Sequence, residues 1–179
     1  MKTKLLLLIP LLALLIACEK KDTKPAYVGT WESAVETDTL TTDPYLVLLN
    51  HKMELTLEEN TWQMIMKIKV APIINDFTDY MGFKGTMTVD GEDAVVNFTE
   101  VGIRSVDTQT FTFIDDAIVW YNAEDNPTNF SALMAEYGPD NTTIQAKLNV
   151  SGNTLTMKSD DNLNGTYEED EITEFTRIK

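Results

Sequence analysis

Along most of the chain, apolar and polar residues alternate one by one. In "HKMELTLE", His51, Met53, Leu55 and Leu57 share one face, and Lys52, Glu54, Thr56 and Glu58 share the other. In "TWQMIMKIKV", Trp62, Met64, Met66, Ile68 and Val70 stand together against Thr61, Gln63, Lys67 and Lys69. "FKGTMTVD", "TIQAKLNV" and "TLTMK" repeat the rhythm. Successive side chains of a strand point to opposite faces, so each run predicts a strand with one dry side. Runs near 94–100, 109–114 and 117–121 are less cleanly divided. Asp90-Gly91, Asp115-Asp116 and Ser151-Gly152-Asn153 leave only a few residues between neighbouring runs. Links that short join antiparallel strands, because parallel neighbours need long crossovers. The count is nine or ten strands in a meander, and a meander of that length curls and closes into a barrel. The expected fold class is therefore all-β: an antiparallel barrel of eight to ten strands with one helix.

The helix falls in "NPTNFSALMAEYGPD". Asn126 suits an N-cap, Pro127 the first helical position, and Gly138-Pro139 the stop. Phe130, Leu133, Met134 and Tyr137 form one apolar stripe, enough to dock the helix outside the barrel or over one end. Two segments fit neither period. "ETDTLTTDPY" (Glu36 to Tyr45) reads as a polar loop. "APIINDFTDYMG" (Ala71 to Gly82) is too apolar for an ordinary loop and reads as a short helix or flap closing one mouth.

The N-terminus has a different character. Lys2 and Lys4 precede thirteen apolar residues, Leu5 to Ala17. That run is short for a membrane span and fits the apolar region of a signal peptide, residues 1–17. It ends in "LIAC", with the only cysteine, Cys18. This resembles the lipobox of bacterial lipoproteins. The resemblance implies cleavage before Cys18, lipid on its thiol and amine, and a membrane anchor at that residue. Residues 18–26 then form a polar tether, and one domain occupies 27–179. Removing the leader leaves 12 basic residues against 29 acidic ones, a formal charge of −17. A surface this acidic excludes nucleic acid as a partner and disfavours flat contact with anionic lipid. Glu19 follows the cysteine. In the well-studied export pathway an aspartate there retains lipoproteins at the inner membrane, so its absence favours the outer membrane.

The first strand of the domain opens on Gly29-Thr30-Trp31 and the last carries Arg177 in "EFTRIK". This resembles the lipocalin pattern, and in particular the small lipocalin-like lipoproteins of bacterial envelopes. The resemblance implies a barrel whose closed end is plugged by Trp31, with Arg177 stacked on it and Gly29 allowing the chain to turn in. Guanidinium over indole is a favourable pair.

Met53, Met64, Met66, Met87 and Met157 fall on predicted inward faces, and Phe98, Phe111, Phe113 and Trp120 add flat apolar surface. Methionine adapts to irregular shapes, which suits a pocket for a small apolar ligand. The same residues also suit a filled core. No charged residue clearly points inward. Catalysis has no local signature: there is one histidine, His51, no phosphate-binding loop, and Cys18 is assigned to lipid. In "SDDNLNGTYEEDE", Asp160, Asn162, Asn164 and Glu171 match ligand positions of a calcium loop. The flanking segments read as strands rather than helices, and Asn164-Gly165 is a turn dipeptide in its own right. The expectation is an acidic hairpin tip with, at most, a weak calcium site. Two functions remain open: an envelope-anchored carrier of a small apolar ligand, or a non-catalytic interaction module with a filled barrel.

Overall fold

The structure, a computed structural model, describes residues 24–42, 45–71, 73–107, 110, 112–160 and 164–179. The strands are β1 (Gly29–Ser33), β2 (Glu36–Thr42), β3 (Tyr45–Leu57), β4 (Thr61–Ala71), β5 (Thr78–Asp90), β6 (Asp93–Ile103), β7 (Val106–Asp107), β8 (Thr112–Phe113), β9 (Val119–Asn122), β10 (Thr143–Ser151), β11 (Thr154–Asp160) and β12 (Ile172–Arg177). One α-helix, α1 (Pro127–Tyr137), stands among the described residues. The strands β1-β12-β11-β10-β6-β5-β4-β3 pair in that order, and β3 pairs back to β1. Every pairing is antiparallel, so the sheet closes into an eight-position barrel.

Several segments share a position. Both β1 and β2 pair with β3. Glu32 faces Glu54 and Glu36 faces His51, so the first strand carries one extra residue between them. Such a bulge bends the strand without ending it. The segment expected as a polar loop is therefore largely strand. Its threonines alternate with Glu36 and Asp38, and threonine is at home in strands. Likewise β9 and β10 both pair with β6, β9 along 100–103 and β10 along 93–97. Backbone bonds from Ala123 to Thr99 (3.0 Å) and from Phe98 to Thr142 (2.9 Å) carry the ladder to both lips of the gap. The helix is thus an excursion from a single barrel position. It packs Phe130 and Met134 into the main core.

The expected flap at 71–82 is smaller than its composition suggested. Backbone bonds between Val70 and Ile74 close a tight turn, and β5 has begun by Thr78. Ile74 packs against Ile68 and Val70. Of the run near 109–114, the described residues Thr112–Phe113 (β8) pair with β7 in a small sheet beside the main one.

The barrel is not equally tall all round. β1 runs upward from the base at Gly29, and β2 continues it upward. On the flank of β1 away from β3, β11 and β12 pair only as far as Lys158 and Ile172, and β12 meets β1 only through Ser33. Among the described residues, the wall above that level is an open sheet, β2-β3-β4-β5-β6-β9, edged by β2 and β9.

Candidate functional site

At the base, Trp31 is completely buried. Its indole Nε1 donates to the Tyr27 carbonyl at 2.9 Å. The Arg177 guanidinium lies over the ring, 4.1 Å from its centre. It also donates to the carbonyls of Val28 (3.1 Å) and Ala26. The two residues are direct cross-strand neighbours in β1 and β12, so they share a face. Gly29 has φ of +154°, and a Cβ there would stand 2.9 Å from the Lys179 carbonyl and 3.0 Å from the guanidinium. A side chain at residue 29 would push the arginine off its stack.

Above this plug the interior is packed. Met87 and Phe98 are buried, and Met53, Met64, Met66 and Met157 are half-buried against the same core. Phe98 is held edge-on by Trp62 (4.7 Å) and Phe83 (5.6 Å). Aromatic pairs in this geometry fix one another. One void among the described residues, about 40 Å³ and wholly apolar, is lined by Leu55, Trp62, Met64, Met87 and Met157 among others.

Trp120 corrects the expectation that it faces the interior. It pairs with Gly102 on the outer face of β6. A Cβ on Gly82 or Gly102 would lie within 3 Å of the indole, so the two glycines form a hollow that the ring fills. The Lys84 ammonium stands 3.7 Å from the ring centre. Alternation alone could not show this, because β9 is only four residues long and gives no phase. The glycines at 82 and 102 were the available signal. Phe113 also lies outside the main core, under the Arg104 guanidinium (4.0 Å) and beside the cluster of Ile68 and Val70.

Alternation pointed to no inward charge, and the structure places two acids, Glu36 and Asp38, on the inner face. His51 shares the face of Met53 and Leu55, and in the ladders it lies between Glu36 on β2 and Ile68 on β4. Its Nε2 stands 3.3 Å from Glu36 and its Nδ1 3.5 Å from Asp38. The signal was hidden because 36–45 read as loop, which assigns no facing direction to its acids.

The acidic tip closes largely on itself. Asp160 is buried and accepts from the backbone N–H groups of Asn164 and Gly165, both at 2.9 Å. Asn164 accepts from the Thr166 backbone and hydroxyl. Glu168 and Glu171 cap one another reciprocally across a short 3₁₀ turn (Glu169–Glu171). A hydrogen bond with the Glu171 side chain, then those from Asn164 and Thr166, hold the Glu168 carboxyl down at about 2. Among the described residues no three His, Cys, Asp or Glu side chains are placed to hold a metal. Asn162 and Cys18 lie outside the described residues.

No family model and no curated protein matches the chain.

Proposed function

We propose that this protein is a non-catalytic envelope lipoprotein, held at a membrane by lipid on Cys18, whose lipocalin-like barrel is a filled scaffold that docks to another envelope protein. The observation that carries this reading is the interior volume. A small-molecule pocket takes about 300–1,000 Å³, and the apolar void among the described core residues is about 40 Å³. Support for the lipocalin likeness comes from the arrangement of Gly29, Trp31 and Arg177 at the closed end. Support for the anchor comes from the leader and Cys18, and Glu19 after the cysteine favours the outer membrane.

A second reading, an apolar-ligand carrier, is favoured by one observation: the void has a purely apolar lining that includes Met64, Met87 and Met157. Methionines can yield to an incoming ligand. Native mass spectrometry of protein purified from its own host separates the two. A clean mass, with a protein captured in reciprocal pull-downs, supports the scaffold. A stoichiometric small molecule on the barrel refutes it.

A further inference from the structure

We infer that the free edge of β2 takes up an extended basic segment of a partner protein as an additional strand. The inference rests on the scaffold reading and names the place and the chemistry of its docking.

An edge strand presents a row of unpaired N–H and C=O groups, a template for a further chain. Among the described residues β2 pairs with β3 alone, and it ends the sheet. The strands that could have covered it, β11 and β12, stop at mid-height. "ETDTLTT" has no lysine and no proline; its charged side chains are the acids Glu36 and Asp38, which guard the edge against a like-charged strand and leave it open to a basic one. Its one bulge lies before it, between β1 and β2, and so leaves its seven residues regular. Val35, Glu36, Thr37, Asp38 and Thr39 are all exposed.

Charge selects the occupant. Glu36 and Asp38 stand on the inner face of the edge, 69% and 62% exposed. No Lys or Arg occurs from Ala34 to Thr42. The His51 ring is the side chain that meets these two acids. A second copy of β2 would set acid against acid, and like charges on paired strands are destabilising. A segment with lysine or arginine at alternate positions sets its cations beside Glu36 and Asp38, and its remaining side chains beside Thr37 and Thr39. Main-chain bonds then supply affinity, and the alternating charge supplies choice.

The test uses the full-length lipoprotein in detergent and a nine-residue peptide of alternating lysine and threonine. The expected result is saturable binding, with slowed hydrogen exchange at the β2 amides that face away from β3. Replacing the lysines by glutamates abolishes binding. The double variant Glu36→Lys, Asp38→Lys weakens it about tenfold, since exposed pairs are individually weak. N-methylation of alternate peptide bonds removes donors without changing charge, and it abolishes binding if a strand is added. Equal binding of the N-methylated peptide overturns the inference, as does protection confined to residues outside β2. Self-association of the lipoprotein through β2 overturns the choice of occupant. A native partner that still binds the double variant overturns this edge while leaving the scaffold reading intact.

Discussion

Replacing Arg177 by alanine tests the mechanics of the closed end. The change removes a guanidinium stacked on a fully buried indole, and two charge-assisted bonds to the carbonyls of Ala26 and Val28. A stack of this kind is worth about 1–2 kcal/mol. Each bond to a carbonyl from a charged donor contributes about 1.5–3 kcal/mol when well buried. Here Ala26 is at the surface and Val28 part-buried, so water replaces much of that, leaving roughly 1 kcal/mol for the pair. The sum is about 2–3 kcal/mol, a large share of the ~5–15 kcal/mol of a typical domain. With a urea slope of about 2 kcal/mol/M, the midpoint falls by about 1–1.5 M. Arg177→Lys keeps the charge but loses the planar fork, and it recovers less than half of the deficit. A double-mutant cycle with Trp31→Phe isolates the stack and yields a coupling of about 1 kcal/mol. A midpoint within about 0.2 M of the parent, at unchanged slope, refutes the account. A coupling indistinguishable from zero refutes the stacking part alone.

Three further outcomes follow from the same geometry. Gly102→Ala places a Cβ 2.4 Å from Ile118 and 2.8 Å from the Trp120 ring, so it costs about 1–3 kcal/mol and shifts tryptophan emission; a neutral result denies the outer-face packing. Glu168 has its carboxyl held at about 2 against an ordinary 4.5, so its contribution is complete above pH 4.5 and is lost as pH falls towards 2; Glu168→Gln flattens that part of the stability profile, and an unchanged acid limb contradicts the hydrogen-bond network. Met157→Ala enlarges the 40 Å³ void, destabilises by about 2–4 kcal/mol, and lets benzene bind as seen by NMR; benzene binding to the parent at equal strength contradicts a filled interior.

The strand rhythm was legible because burial on one face forces a period of two, and β3, β4, β5 and β10 each show it over much of their length. The barrel class follows from that rhythm and from short connections. The helix was legible from Pro127 and Gly138, which bracket it. Short segments were not legible. β2 gave no core signal, because its alternate positions carry acids that face an open mouth rather than a dry interior. Trp120 had no neighbours in sequence to set its phase, and its side of the sheet was decided by Gly82 and Gly102 on other strands.

Local alternation, turn chemistry and charge thus lie in the chain itself, since each depends on residues a few positions apart. Which strand is left at an edge, whether the interior is hollow, and which acids meet His51 depend on where distant strands stop relative to one another. Those lengths and registers are set by packing between segments far apart in sequence. That is why the filled core and the open flank beside β2 came from the tertiary structure alone.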